Sequence, residues 1–512
     1  MESYILPLFV VLPLAAAFII PVMGRFFIGF PRIKASFIFL VLTLFSLYAM
    51  LYWDRQRVVY AIGGWGALDS IPIGIYLVYD GFSSFMLGIV NFIAFLAAFF
   101  AIGYIKKYTA ETNFYTLLCL MIAGMNGVIL SGDLFNLYVF LEIAAISSYA
   151  LVAFGVEKEE LEASFKYMVL GGLASMIILF AIAMIYWASS TLNIADISKV
   201  LAGSEGSYLV VFIQILLIVG FGLKSAIVPF HAWLPDAHSS APSPISSLLS
   251  GILIKAIGVY VLIRLFFNMF IISYEIAITF TVLGILSIIV GGLMAIGQWD
   301  YKRLLAYSSI SQVGYIFTGL GVGMIVISNG ESMSIASMAI FGALFHLVNH
   351  AVFKSLMFMN AGSIEHATGI RDLRLLGGLG KLMPVTSATS FSGSMAISGL
   401  PPFSGFFSKL VIIIAAVQAQ LYTVAFIAAI MSVITLGYFL KFHRESFAAE
   451  PRSNFSAKRN LPFSMKAPMI VLASMCLLLS AVMIPQLREM LFAPAVDSLL
   501  ELTSYSSQIL GG

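Results

Sequence analysis

A chain of 512 residues that is 61% hydrophobic and 10% charged cannot cover itself with polar surface in water, because soluble domains carry roughly a quarter charged residues. The mean hydropathy of +1.02 places it among polytopic membrane proteins, and the net charge of +3 is too small to point to a nucleic-acid partner. Cys119 and Cys476 stand alone in apolar runs and no GxGxxG or GxxxxGK loop is present, so zinc, iron–sulfur and nucleotide chemistry have no support and no metal or cofactor is expected.

A membrane crossing takes about 20 mostly apolar residues. The sequence predicts fourteen, near 4–24, 33–52, 79–104, 114–131, 133–154, 161–187, 208–231, 243–268, 276–297, 302–326, 335–360, 384–417, 421–442 and 467–486. The first run lacks a basic start and a small-residue cleavage site and reads as a retained helix. The loop 53–78, with Gly63, Gly64, Gly66, Pro72 and alternating apolar residues, suits a short hairpin on the membrane surface. No soluble domain fits, and the tail after Leu487 is too short for one. With the N-terminus outside, 17 basic residues fall in inside loops, Lys458 and Arg459 among them. Five fall outside, Arg55 among them. That asymmetry predicts both termini outside a cell membrane.

The remaining five of the 27 basic residues, Lys166, Lys224, Lys255, Lys354 and Lys409, fall inside predicted spans. Asp133 lies at the start of the fifth span, and Glu142 is the only acid well inside one. Lys166 is a turn or so from its helix start, where snorkelling takes an ammonium to the interface. The other four lysines are embedded among apolar or small residues. A central Lys costs roughly 2.5–3.5 kcal/mol, so four cost on the order of 10–14 kcal/mol unless something offsets it. A Glu142–Lys224 pair lowers that cost. Pairing raises a Lys pKa and desolvation lowers it, so a pair that opens and closes binds and releases a proton.

The seventh span runs into GFGLKSAIVPFHAWLPDAHSSAPSPISSLLSG, where Pro229 and Pro235 break the helix and His231 and His238 follow. These two histidines, with Asp133 and Lys166, are accessory candidates. Lys255 stands in the eighth span. In the eleventh, His346, His350 and Lys354 recur every four residues, which places them on one helix face about 6 Å apart along the axis. Imidazoles titrate near neutral pH and suit a proton relay. The twelfth span is broken by Gly399, Pro401, Pro402 and Gly405 before Lys409. Two broken helices, each with a buried Lys, point to inverted repeats. The expected organisation is 1–110 for helices one to three, 111–270 and 271–445 for two five-helix units, and 446–512 for the last helix and tail.

The strings LKSAIVPFHAWLPDAHSSAPSPISSLLSG, WDYKRLLAYSSISQVGYI, FHLVNHAVFKSLMFMNAGSI and SGLPPFSGFFSK resemble the antiporter-like subunits shared by respiratory complex I, Mrp cation/proton antiporters and membrane-bound hydrogenases. The resemblance covers roughly 80–450. It implies an all-α fold of fourteen transmembrane helices with two inverted five-helix repeats. It further implies a Glu142–Lys224 pair on helices five and seven, Lys255 as a connecting lysine, a central His346–His350–Lys354 relay, and Lys409 as terminal lysine. Lys409 sets the chain apart from the complex I branch with Glu there, and the short C-terminus from branches with extra helices. The motif style is most similar to the D-type antiporter chain of Mrp complexes and its hydrogenase equivalent. The expected function is proton translocation within a multi-subunit membrane complex, with no catalytic centre in this chain and other membrane subunits as partners. Sodium movement belongs to the complex as a whole. A stand-alone sodium/proton antiporter is the second reading. A structural anchor for a redox module is the third, and it leaves the buried lysines unexplained.

Overall fold

The computed structural model describes residues 3–27, 29–53, 57–68, 71–203, 206–452, 461–501 and 505–510; Arg55, Lys458 and Arg459 of the loop-charge argument lie outside them. The chain begins with α1 (Leu8–Met23) and α2 (Phe30–Tyr52). Four short strands follow, β1 (Val58–Ala61), β2 (Ala67–Leu68), β3 (Ile71–Pro72) and β4 (Tyr76–Tyr79). β1 pairs antiparallel with β4, Val58 opposite Tyr79, and β2 with β3. The predicted surface hairpin is therefore present, but β4 is buried rather than lying free, because Tyr79 packs edge-on against Trp53 and reaches Ser84 with its hydroxyl.

Then come α3 (Gly81–Tyr104), α4 (Glu111–Leu130), α5 (Leu134–Val152), α6 (Lys158–Ser189), the short α7 (Ile194–Leu201), α8 (Tyr208–Ser225) and the short α9 (Trp233–Ser240). The next crossing, 243–268, runs as α10 (Ser243–Leu248), two π-helical stretches (Leu249–Leu253 and Lys255–Val259) and α11 (Tyr260–Asn268). The second half holds α12 (Tyr274–Ile296), α13 (Tyr301–Ser328), α14 (Met333–Thr368), the one-turn α15 (Leu379–Leu382), α16 (Pro384–Ser398), α17 (Ser404–Gln418) and α18 (Tyr422–His443). The chain closes with α19 (Phe463–Leu478), α20 (Pro485–Leu491), α21 (Ala493–Leu500) and α22 (Tyr505–Leu510).

Among the described residues, thirteen helices are long and apolar enough to cross a membrane. α16 and α17, at 15 residues each, are too short to cross singly; end to end they make the further, interrupted crossing the prolines predict. At this break Gly399 takes the left-handed conformation (φ 77°), and a Cβ on Gly405 would run into the Ala396 carbonyl. The seventh crossing breaks in the same manner, with Ala226 left-handed (φ 53°) directly after α8. Each break carries a cis X-Pro bond, Val228–Pro229 and Pro401–Pro402. Helices without such breaks pack through small residues: α12 and α13 touch backbone to backbone at Gly291 and Gly314.

Polar ends close the bundle. At one end Arg264 makes a bidentate pair with Asp80 (2.6 and 2.8 Å), both buried. Asp80 also caps α3 through the Ser83 amide at 2.9 Å. Burial would raise the Asp80 carboxyl, but the Arg264 guanidinium and the Ser83 amide outweigh it and hold it below its ordinary value. Asn268 extends this knot to the Ser498 carbonyl at 3.0 Å, tying α11 to the C-terminal turns. Removing one partner of such a pair strands a buried charge and costs about 3–5 kcal/mol. Asp80→Ala is expected to lower the unfolding midpoint in detergent by that equivalent, and Asp80→Ala/Arg264→Met to recover most of it. Equal melting of wild type and Asp80→Ala would show that the pair does not stabilise the fold.

Candidate functional site

The first cluster lies where α5, α6 and α8 meet. Glu142 Oε1 is 3.7 Å from Lys224 Nζ and also accepts a hydrogen bond from Ser175 on α6. Lys224 also donates to the Tyr149 hydroxyl at 3.3 Å. The pair is lopsided: the lysine side chain is 2% exposed, the glutamate 25%. Glu142 lies on an outward stripe of α5 with Phe135, Val139 and Ile146, all exposed. The lysine is fixed from behind, since Tyr149 packs edge-on against Tyr167 and Tyr167 stacks on Trp233 at 4.2 Å. Trp233 Nε1 in turn donates to the Leu223 carbonyl at 2.9 Å. The carbonyls freed where α8 stops thus find a partner on α9, as a helix end in a membrane requires.

The second cluster runs along α13 and α14. Lys255 opens the second π-helical stretch and donates to the Ser250 carbonyl five residues back. π-helical stretches inside α-helices collect at functional sites. Ser250 shares a hydrogen bond with Ser309 of α13 at 2.8 Å. One turn away Lys354 of α14 donates to the Leu305 carbonyl (3.0 Å) and to Ser308. His350 and His346 continue the same face of α14. His346 Nδ1 meets Ser408 Oγ of α17 at 3.0 Å, while both nitrogens of His350 and of His238 have no hydrogen-bond partner among the described residues. The Tyr315 ring lies 5.5 Å from the His346 ring and 4.7 Å from Lys409 Nζ, and so stands between the two. Lys409 donates to the Ile397 carbonyl (2.7 Å) and to Ser432 Oγ (3.3 Å).

All four deep lysines and the histidines 238, 346 and 350 are therefore buried in one interior. Among the described residues, only Lys224 of the four has a carboxylate within ion-pair distance. Lys255, Lys354 and Lys409 are held by carbonyls and hydroxyls, with the Tyr315 ring beside Lys409.

Three accessory candidates do not join this interior. The Lys166 side chain is 47% exposed and bridges Glu162 (2.8 Å) and Asp236 (3.1 Å) at the surface, because its stem reaches the helix start. Asp133 caps α5 through the Asn136 amide at 2.8 Å, and burial raises its carboxyl above the ordinary range. His231 is half-buried in the turn after α8. Sequence reasoning missed Lys302 and Glu365, placed in or near loops yet paired at 2.9 Å with the Lys302 side chain buried. Glu365 was hidden because α14 continues to Thr368, two turns past the predicted end. It also missed Ser308, Gln312 and Tyr315, although their spacing in AYSSISQVGY puts them on one face of α13.

Residues 131–435 match the family model described as NADH:quinone oxidoreductase/Mrp antiporter, transmembrane, and residues 65–115 the complex I chain 5 N-terminus model. The chain is 32% identical over 516 aligned residues to the D-type subunit of the Na(+)/H(+) antiporter of Alkalihalophilus pseudofirmus, covering 98% of this chain and 99% of the relative. It is 33% identical over 430 residues to the N-type subunit of the NADH-quinone oxidoreductase of Desulforudis audaxviator, covering 81% and 82%. Two solved structures superpose over nearly their whole length. A chain of the Mrp complex from Dietzia sp. DQ12-45-1b gives a TM-score of 0.89 at 26% identity, covering 100% of both chains. A chain of the membrane-bound sulfane sulfur reductase, an archaeal respiratory membrane complex, gives 0.86 at 28%, covering 99% of both.

Proposed function

The chain belongs to the NADH:quinone oxidoreductase/Mrp antiporter transmembrane family, and from that premise we propose that it is the antiporter-like, proton-translocating subunit of a multi-subunit membrane complex. Protons reach Lys224 or Lys255 by a half-channel, pass along Lys255, Lys354, His350 and His346, and leave by Lys409. Opening and closing of the Glu142–Lys224 pair gates the cycle. A neighbouring subunit's charge biases that pair from the exposed side of Glu142, so that work done elsewhere favours one state over the other. The observation that carries this reading is the burial of Lys255, Lys354 and Lys409 with no carboxylate beside any of them among the described residues. An amine so placed is costly as helix glue, whereas a place in a proton path gives that cost a function.

Both termini lie outside a cell membrane in this proposal, and residues 111–270 and 271–445 are two five-helix units of opposite orientation. The matching breaks after α8 and after α16 support the latter. A stand-alone sodium/proton exchanger has less support, since a sodium site draws on several oxygen ligands, usually carboxylates, and no second carboxylate joins Glu142 at Lys224 among the described residues. Purification from native membranes is expected to bring down other membrane subunits. In liposomes the intact assembly is expected to exchange cations for protons and the single chain to be silent. Exchange by the single chain would favour the stand-alone reading instead.

A further inference from the structure

We propose that the buried hydroxyls of α16, Thr386, Ser390, Ser394 and Ser398, form a proton access route joining Lys409 to the membrane face that carries residues 369–383. The inference rests on the relay reading above and adds a second opening to it.

The four residues recur every fourth position and all are buried. Helix geometry therefore stacks them on one side of α16 with about 6 Å between neighbours along the axis. A hydroxyl inside a helix usually bonds back to its own backbone, as Ser398 does to the Ser394 carbonyl at 2.7 Å. Thr386 and Ser394 do not: their oxygens have no hydrogen-bond partner among the described residues, although both residues are fully buried. Ser390 Oγ likewise has no hydrogen-bond partner among the described residues. A separate observation comes from α14, where the Asn360 amide nitrogen is fully buried without a partner while its oxygen accepts the Thr389 hydroxyl at 2.8 Å. Unpaired buried polar atoms are uncommon in native folds, and water is what usually satisfies them.

Both ends of the ladder lead somewhere. At the top, Ser432 Oγ donates to the Ser398 carbonyl (2.9 Å) and accepts from Lys409 Nζ (3.3 Å). At the bottom, Phe391, next in sequence to Ser390, packs edge-on against His443 with ring centres 5.4 Å apart, and the two line a surface cavity of about 630 Å3 with Lys441 and Arg444. An O–H···O bond spans roughly 2.7–2.8 Å, so each 6 Å interval takes a bridging water. A hydroxyl donates and accepts at once. It can therefore hand its proton forward while taking one from behind, ending unchanged. The ladder carries no carboxylate, so it offers a sodium ion no countercharge and its cargo is the proton.

The test uses the assembled complex in oriented vesicles. Ser394→Val is expected to lower proton transport at least tenfold, and Ser394→Thr, which keeps the hydroxyl, to stay within twofold of wild type. The thiol of Ser394→Cys is expected to react with a small cationic methanethiosulfonate added on the side of residues 369–383, with the parent chain, whose Cys119 and Cys476 are buried, as blank. Full transport in Ser394→Val, or a thiol that reacts only from the opposite side or not at all, overturns the route. Lys409→Met is run beside them. Transport retained in Lys409→Met sinks the relay itself, whereas loss there with full activity in Ser394→Val sinks the ladder alone. Should Ser394→Val not assemble, the labelling result decides.

Discussion

Glu142→Ala and Lys224→Ala are each expected to stop proton transport while the complex still assembles. The amine of Lys224 has one carboxylate near it, 3.7 Å away, and one hydroxyl, Tyr149, at 3.3 Å. Removing the carboxylate leaves a buried ammonium paired only with a phenol. A positioned proton-transfer group contributes typically about 10²–10⁴-fold, so the expected loss in rate is at least about a hundredfold. Lys224→Arg is the sharper variant. It keeps the positive charge, but a guanidinium does not give up its proton in proteins. A structural pair would tolerate it in part; a proton-holding pair would not. The measurement is dye-reported acidification in inverted vesicles, with native gels to follow assembly. Unchanged transport in Glu142→Ala, or near-normal transport in Lys224→Arg, would count against the gating scheme.

Lys354→Met is expected to separate transport from stability. Lys354 is fully buried and donates to the Leu305 carbonyl and to Ser308, with no counter-ion among the described residues. Met has a similar length and no charge, and exchanging buried charge for well-packed apolar volume is often neutral or stabilising by about 1–4 kcal/mol. The melting temperature should therefore hold or rise while transport falls by two orders of magnitude or more. If the amine served to hold α13 and α14 together, the signs would reverse, with lower melting and transport largely kept. Both readouts come from one purified variant.

What the sequence made legible follows from what periodicity reports. Apolar runs locate crossings to within a few residues, and prolines locate the two breaks. The Glu142–Lys224 pair was legible because only one deep acid was available. The ion pairs across long sequence separations were not. Arg264 and Asp80 are 184 residues apart, and each looks like an ordinary span-end charge. Lys302 and Glu365 fall at or beyond the ends of the predicted spans because a hydropathy window cannot tell a loop from the last turns of a helix that outruns its apolar core. Lys166 shows the converse, a charge inside a predicted span whose long stem delivers it to the surface. Likewise, no spacing rule says that Tyr315 stands between His346 and Lys409, since that depends on how α13 packs against α14 and α17.

The exposed stripe of α5 bears on how such a chain is policed. Phe135, Val139 and Ile146 would rest comfortably against lipid tails, but the carboxylate of Glu142 among them, a quarter exposed, would not. A copy made without its companions turns that carboxylate toward lipid, where a charge is costly, so surplus copies should be short-lived until a neighbour covers that spot.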